Sequence, residues 1–386
     1  MIRPRTVLIL GLSQLVCWGI TYYLIGAFGH LIAADLGWSM AVVHGGFSAG
    51  LAVMGVVSAR VGRLIETHGG RNVMVAGSLL TMLGCVGLAL ARDLWLYYAA
   101  WAVLGLAMRM TLYDAAFAAL ARIGGPEARR PIAQITLLGG LASTVLWPVG
   151  HGLAELFGWR GAVLCYAGFA ALTVPLHLAV PRGRYQAEAK PADAAAPSPR
   201  KARDRRLAAG LYALAVALAT FLNSGMSAHM IAVLGGLGVA ASVAVWIGAL
   251  RGIGQSASRL GEVLFGTRVS PFALNIGASA ALPVCFIVGL LSGQLVVAAM
   301  FFAIVYGAGN GLLTIVRGTL PLALFDPQVY GSLVGRLLAP SFYLSALAPL
   351  AYALVIEHLG NAAALWLSAS IGVVILASAV LLRRLR

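Results

Sequence analysis

The feature that most constrains this chain is its succession of apolar runs, which are separated by short polar breaks. A helix of about 20 apolar residues crosses the hydrocarbon layer of a bilayer. Hydrophobic residues make up 61% of the 386 residues and charged residues only 10%, whereas a soluble protein is about a quarter charged. One water-soluble core cannot bury so much apolar surface. The sequence therefore excludes a soluble protein and predicts an all-α membrane protein.

The runs predict twelve transmembrane helices. The first run is too long for the apolar core of a cleaved signal peptide, so it is interpreted as a span. Turn and charged residues, such as those of Asp35-Leu-Gly-Trp-Ser39, fill the breaks. The predicted spans are residues 6–34, 40–61, 72–91, 94–120, 132–156, 160–180, 206–234, 239–264, 271–292, 294–321, 331–358 and 361–382.

The basic residues indicate the orientation of the chain rather than a nucleic-acid partner. The formal net charge is +15, but most Lys and Arg residues lie in the breaks and at the termini, not on one phosphate-binding face. An even number of spans puts both termini on one side, and the outward loops then hold only Arg92 and Arg160. The positive-inside rule therefore predicts a plasma (inner) membrane protein with both termini in the cytoplasm.

The chain divides into two similar halves. Residues 181–206, rich in Ala, Pro and Arg, predict a cytoplasmic linker between a bundle at 1–180 and a bundle at 207–386, each of six helices. Four short segments recur in the same order about 200 residues later. Parallel repeats of this kind predict two bundles related by a pseudo-twofold axis along the membrane normal, with a site between them. The pairs are His30–Ala33 with His229–Ala232, Arg63–Glu66 with Arg259–Glu262, Thr111 and Asp114 with Thr314 and Arg317, and Glu155–Gly158 with Glu357–Gly360.

The break after the second span reads Gly62-Arg-Leu-Ile-Glu-Thr-His-Gly-Gly-Arg71. It resembles the loop signature of the major facilitator superfamily (MFS), Gly-x-Leu-x-Asp-Arg-x-Gly-Arg-Arg/Lys. Gly62, Leu64, Gly69 and Arg71 match, Glu66 replaces the usual Asp, and Thr67 stands where the family has Arg. The resemblance implies the MFS fold and a secondary transporter.

The resemblance also implies a gate. In that family the acidic residue of the loop helps to latch the cytoplasmic gate at a helix N-terminus, where negative charge is favoured. Glu66 would inherit this role. Arg259 and Glu262 form a degenerate second copy in the other half, so Glu262 would inherit it there.

Five charged residues lie within apolar spans, where a charge costs about 2.5 to 3.5 kcal/mol on insertion scales. Arg109 and Arg251 lie deep in spans 4 and 8. We expect them to face a cavity, and the alternative is that each extends towards the membrane surface or bonds freed backbone carbonyls. Asp114, Arg317 and Arg336 lie nearer the cytoplasmic ends. For these three we expect a salt-bridge gate, and Asp114 is open to either gating or proton coupling.

The deep arginines point to an anionic substrate. They belong to different halves, so the sequence predicts that both face a central cavity, where an Arg fork suits a carboxylate. Aromatic and amide side chains would orient the rest of the ligand. An Arg in span 8 also resembles the carboxylate-binding arrangement of monocarboxylate and oxalate transporters. The candidate substrate residues are Arg109, Arg251, Tyr22, Asn223, Tyr306 and Asn310.

Two patterns have structural alternatives. The pentapeptide Gly46-Phe-Ser-Ala-Gly50 matches the nucleophile elbow of hydrolases, but it lies within a span, where small residues serve helix packing. The glycines at 307, 309 and 311 in span 10 either permit tight packing or bring backbone close to a substrate. The sequence leaves these last two interpretations open.

The sequence predicts gradient-driven transport of a small organic anion, with a proton as the coupled ion (a symporter). The alternative is proton-driven efflux of a drug or metabolite; Trp101 and the altered Trp147-Pro-Val-Gly-His-Gly152 pattern depart from the drug-antiporter motifs. No phosphate-binding loop precedes either lysine, and no catalytic or metal-binding pattern occurs. We therefore expect no enzyme activity and no cofactor or metal. The expected partners are substrate, proton and lipid, with a monomeric protein and no nucleic acid.

Overall fold

The computed structural model describes residues 2–186 and 199–385. Within these ranges the secondary structure is helical, with short 3-10 turns between some helices. The helices are α1 Pro4–Ile20, α2 Leu24–Leu36, α3 Met40–His68, α4 Gly70–Leu90, α5 Leu94–Thr111, α6 Tyr113–Gly124, α7 Arg129–Gly139, α8 Ala142–Leu178, α9 Pro199–Gly236, α10 Ala241–Phe265, α11 Pro271–Gly289, α12 Val296–Leu324, α13 Tyr330–Leu359 and α14 Asn361–Arg384.

Each predicted span lies on these helices. In the described ranges, nine segments are long and apolar enough to cross a membrane. One of them, Leu94–Leu178, has 85 residues and turns at Gly125 and Gly158, both with positive φ, so it accounts for three spans. Helix α10 is less apolar because it carries Arg251, Arg259 and Glu262. With it, the described helices account for the twelve spans of an integral membrane protein.

Three spans that were predicted as continuous are broken, and one of them, span 5, turns at residues 140–141 between α7 and α8. Span 1 turns at residues 21–23 between α1 and α2, and span 4 breaks at Leu112, whose backbone is extended (φ −76, ψ −174). A broken helix in lipid requires other partners for its freed polar groups. The Gln14 side chain donates from Nε2 to the Thr111 carbonyl at 2.7 Å, and Trp147 Nε1 donates to the Tyr23 carbonyl at 3.2 Å. Side chains distant in sequence thus stabilise the breaks in spans 1 and 4.

The helices form two compact units with separate apolar cores. The first unit contains Met1–Gln186 and Phe325–Ala339, and the second contains Ala187–Leu324 and Pro340–Arg386. The first ten residues of α13 therefore pack with the first unit. Of the predicted linker, residues 199–206 form the beginning of α9, and residues 187–198 lie outside the described residues. The division into bundles at 1–180 and 207–386 stays a prediction.

The two units repeat the same backbone details. Gly158 and Gly360, paired in the sequence repeat, have nearly the same conformation (φ 67, ψ 170 and φ 85, ψ 171). Only glycine adopts this region readily. At each of these residues one transmembrane segment turns into the next.

Close helix packing is also repeated. A Cβ on Gly105 would meet the Gly50 backbone in the first unit, and a Cβ on Gly254 would meet the Ile304 carbonyl in the second. Gly46 of α3 lies against Trp101 of α5. This contact agrees with the packing interpretation of the Gly46–Gly50 pentapeptide. Small residues let membrane helices approach closely.

Candidate functional site

Four of the predicted substrate residues form one cluster in the second unit. Arg251 of α10 donates from Nη2 to Asn223 Oδ1 at 2.6 Å and to Ser227 Oγ at 2.9 Å. Asn310 of α12 donates from Nδ2 to the same Asn223 oxygen at 2.8 Å. Residues four apart share a helix face, which places Asn223 beside Ser227 on α9 and Asn310 beside Tyr306 on α12. We call Asn223, Ser227, Arg251, Tyr306 and Asn310 the Arg251 cluster.

An aromatic ring supports the guanidinium of the cluster. The Arg251 Cζ lies 5.1 Å from the centroid of the Tyr306 ring, within the range of a cation–π contact. Tyr306 is buried, and its hydroxyl donates to the Leu222 carbonyl at 3.0 Å. A Cβ on Gly307 would collide with the Arg251 backbone carbonyl, so glycine at 307 lets α12 lie against α10. Gly307 therefore serves packing, and this packing positions Tyr306 under the cation.

The cluster has a positive charge without an acidic partner. Among residues 2–186 and 199–385, no carboxylate pairs with Arg251, and no group accepts from its Nε or Nη1. The guanidinium is only partly buried and Ser227 is exposed. Arginine has five N–H donors, so three of them are available for a ligand. Electrostatically the cluster is suited to an anion with oxygen acceptors.

Arg109 has a different environment in the first unit. It is 2% exposed, and it donates from Nε to Ser58 Oγ at 3.0 Å and from Nη2 to the Ser58 carbonyl at 3.2 Å. Ser58 Oγ in turn donates to the Gly335 carbonyl of α13 at 2.6 Å. The structure thus places this guanidinium inside the contact between α3 and the beginning of α13. We call this contact the α3–α13 junction.

The remaining predicted substrate residue, Tyr22, also belongs to the first unit. It lies in the turn between α1 and α2, with its ring centroid 5.0 Å from that of Trp18 and 5.1 Å from that of Phe47. Trp18 also lies 4.9 Å from Tyr113, the first residue of α6. The breaks in spans 1 and 4 are therefore lined by the same group of aromatic rings.

The loop motif forms the cytoplasmic end of the α3–α13 junction, on the predicted topology. Glu66 Oε1 accepts from the Ser332 backbone N–H at 2.8 Å. Ser332 lies in the first turn of α13, where the helix dipole favours a carboxylate. A Cβ on Gly62 would collide with the Gly331 carbonyl, so the absence of a side chain at 62 is what permits this approach.

The other positions of the motif shape the turn between α3 and α4. Gly69 has φ 84 and ψ 150 and ends α3 while it begins α4; this conformation favours glycine. Arg71 lies in the first turn of α4 and is partly buried. Arg122 donates from Nε to the Glu66 carbonyl at 3.1 Å and from Nη1 to the Gly183 carbonyl at 3.1 Å. A cation therefore caps the last turn of α3.

The second copy of the motif has another geometry. Arg259 and Glu262 are both buried near the end of α10. The Glu262 carboxylate lies beside Gly266 in the following turn. This copy lies at a helix C-terminus within its own unit.

The predicted gate residues are found at three separate positions. Asp114 is partly buried in the first turn of α6, directly after the break at Leu112. The Arg317 Cζ lies 5.5 Å from the centroid of the Phe342 ring, and the Arg317 carbonyl accepts from the Tyr212 hydroxyl at 2.6 Å. Arg336 is exposed on α13. Their part in a gate stays a prediction.

Several residues that complete these sites were not predicted from the sequence. Ser227 lies one helical turn after Asn223, so helical spacing would have found it. Gln14 is the only amide in the first predicted span, a signal of function or of a helix break. Ser58 and Ser332 carry no such signal, because their roles depend on contacts between segments distant in sequence.

Comparison with known proteins places this chain in a family. Residues 10–335 match the model of the Major Facilitator Superfamily. The chain belongs to that superfamily, and this membership indicates a protein that transports a substrate across a membrane. No curated protein sequence matches the chain.

Solved structures show the same fold at low sequence identity. The human organic anion transporter MFSD10 is 16% identical with a TM-score of 0.74, over 99% of this chain and 100% of that chain. The proton:xylose symporter XylE is 13% identical with a TM-score of 0.76, over 98% and 95%. The E. coli fucose:proton symporter FucP is 15% identical with a TM-score of 0.71, over 98% and 98%.

Proposed function

We propose that this protein is a secondary active transporter for a small organic anion with a carboxylate-like group. It works by alternating access in the inner membrane, with both termini cytoplasmic and a proton as the coupled ion. It is not an enzyme, and it acts as a monomer. The observation that supports an anionic substrate is the partly exposed Arg251, whose Nε and Nη1 have no acceptor among the described residues.

An unpaired cation within a transmembrane span is energetically costly. An arginine at the centre of a span costs about 2.5 to 3.5 kcal/mol on insertion scales. The oxygens of Asn223 and Ser227 and the ring of Tyr306 reduce that cost. A carboxylate adds charge-assisted hydrogen bonds, which are roughly twice as strong as neutral ones. The guanidinium of the cluster is therefore suited to pairing with a substrate anion.

The neighbours in structure support the class but do not fix the substrate. MFSD10 is described as an organic anion transporter, and XylE and FucP as proton symporters. A proton accompanying an anion makes the pair neutral, which favours its passage through an apolar protein interior. Asp114, at a helix N-terminus next to a break in span 4, is our candidate for the proton, and Glu66 for the gate.

Under this proposal Arg109 and Arg251, the two deep arginines, have different roles. Arg109 would reach a substrate only after its two bonds to Ser58 break. We therefore assign the first contact with the anion to Arg251. Arg317 and Arg336 remain candidates for the gate with Asp114.

A second candidate function is proton-driven efflux of a drug or metabolite. The aromatic group around the helix breaks of the first unit favours it, because flat apolar molecules stack on such rings. The ring pairs are Trp18–Tyr22 at 5.0 Å, Trp18–Tyr113 at 4.9 Å and Tyr22–Phe47 at 5.1 Å.

The test is transport by the purified protein in proteoliposomes with an imposed pH gradient. We expect uptake of acetate, lactate or benzoate, and none of the matched neutral amides. Arg251→Lys retains charge but loses the planar fork, so its uptake should be weak, and Arg251→Ala should show none. Transport of organic cations without any of the three carboxylates would favour the efflux function and overturn the anion proposal.

A further inference from the structure

The oxygen of one side chain holds the Arg251 cluster together. Asn223 Oδ1 accepts from Arg251 Nη2 at 2.6 Å and from Asn310 Nδ2 at 2.8 Å. The orientation of the Asn223 amide follows from its partner, since arginine only donates. One neutral oxygen therefore receives a cationic and a neutral donor at the same time, from two different helices.

This arrangement is the one that an oxygen of a bound carboxylate would have. A carboxamide has the shape of a carboxylate, but it lacks the charge and offers only one acceptor oxygen. Hydrogen bonds from arginine to a carboxylate are stronger than those to an amide. An anion entering the cluster therefore competes for Nη2 with a weaker ligand that belongs to the protein.

We propose that Asn223 is an internal stand-in for the substrate carboxylate. Its Oδ1 holds Arg251 and Asn310 in position. When an anion binds, a carboxylate oxygen replaces Oδ1 on Arg251 Nη2, and Asn310 Nδ2 turns to the same oxygen. The Nε and Nη1 groups of Arg251, which are not used in these two bonds, remain to donate to the second carboxylate oxygen or to a neighbouring substituent.

The stand-in role of Asn223, which rests on the anion function proposed above, affects both binding and release of the substrate. A transporter must release its substrate as well as bind it. An internal competitor lowers the apparent affinity by the fraction of sites it leaves open, and it reoccupies Arg251 when the anion departs. Asn223 is therefore a residue that sets affinity and release, rather than one that adds a direct contact.

The experiment measures binding to the full-length protein in detergent. Dissociation constants for acetate, lactate and benzoate are compared with those for acetamide, lactamide and benzamide in wild type and in Asn223→Ala, Asn223→Asp and Arg251→Ala. Ser224→Ala is the control for a change in α9, because Ser224 bonds the Ser345 carbonyl and not the cluster. Melting temperature is recorded for each protein.

The two alanine variants should change affinity in opposite directions. Asn223→Ala removes the competitor, so carboxylates should bind on the order of threefold to tenfold more tightly, with slower release in counterflow. Asn223→Asp supplies a permanent anion, so carboxylate affinity should fall on the order of 100-fold while the melting temperature stays at or above that of wild type. Arg251→Ala should lose the preference for carboxylates over amides.

The outcomes separate this proposal from the proposed function. If wild type shows no preference for carboxylates, or Arg251→Ala retains it, the anion function fails and the stand-in fails with it. If Arg251→Ala loses the preference but Asn223→Ala binds carboxylates more weakly than wild type, only the stand-in is wrong, and Asn223 is a direct ligand. An Asn223→Asp protein with wild-type affinity also overturns the stand-in.

Discussion

The α3–α13 junction and the Arg251 cluster are each organised by an arginine that the sequence places deep in an apolar span. Arg109 is 2% exposed and bonds the hydroxyl and the backbone carbonyl of one residue, Ser58. Arg251 is partly exposed and bonds only side chains, one of which, on Ser227, is exposed. The same residue type thus stabilises a contact between helices in one unit and forms an open, electropositive cluster in the other.

The comparison shows which property distinguishes a structural arginine from a binding one. Depth in the span does not, because both arginines lie in the interior of apolar segments. The difference lies in the partners: a buried hydroxyl and a backbone carbonyl fix Arg109 between α3 and α13, while partly exposed side chains hold Arg251 and can exchange for a ligand.

The largest expected effect is on carboxylate binding by Arg251→Ala. Loss of two or more charge-assisted hydrogen bonds should reduce carboxylate affinity about 100-fold, with little change in melting temperature because the side chain is only partly buried. Calorimetric titration with benzoate measures the first quantity and thermal denaturation the second. A large fall in melting temperature with unchanged affinity would make Arg251 structural and remove the contrast.

The second prediction is the reverse pattern for Arg109→Ala. The variant loses two buried bonds to Ser58, so the protein should be less stable by about 2 kcal/mol. Carboxylate affinity of the folded fraction should remain within about twofold of wild type, within the context dependence of a single interaction. A fall in affinity comparable to that of Arg251→Ala would show that Arg109 also contacts the substrate.

The third prediction concerns the close approach that the junction requires. In Gly62→Ala the added Cβ meets the Gly331 carbonyl, so the first turn of α13 should move away and break the bond from Ser332 to Glu66. A thiol-specific reagent should label a cysteine at position 332 about tenfold faster, as expected for an overpacking cost of 1 to 3 kcal/mol.

Gly168→Ala is the matched control for this measurement, since a Cβ at Gly168 meets nothing within 4 Å. Equal labelling rates in the two glycine variants would mean that the junction does not hold the first turn of α13 in solution.

The smallest expected effects compare the two serines that bond the arginines. Ser58 is fully buried and links Arg109 to Gly335, so Ser58→Ala should cost about 1 to 2 kcal/mol of stability. Ser227 is exposed, so Ser227→Ala should cost less than about 0.5 kcal/mol. Denaturation of both variants under the same conditions gives the two losses of unfolding free energy. Equal losses would contradict the assignment of Arg109 as structural and Arg251 as substrate-binding.

Much of the candidate site was predictable, because polar residues in apolar spans are few. Asn223, Arg251, Tyr306 and Asn310 each stand out in an apolar run, and helical spacing puts pairs of them on common faces. Their convergence on one oxygen was not predictable, since it depends on how α9, α10 and α12 pack. The paired roles expected for Arg109 and Arg251 assumed that equal depth means equal exposure, and the structure places them in different surroundings.

The helical membrane fold, the approximate spans and the loop motif around Glu66 could all be predicted from the amino-acid sequence. These depend on composition and spacing within one segment, where length in lipid and local charge are sufficient. The break of span 4 at Leu112 and three hydrogen bonds became known only from the packed helices. These bonds join Gln14 to the Thr111 carbonyl, Arg109 to Ser58 and Arg251 to Asn223. Each bond joins residues far apart in the chain, so its partner is fixed by helix packing and not by any local pattern.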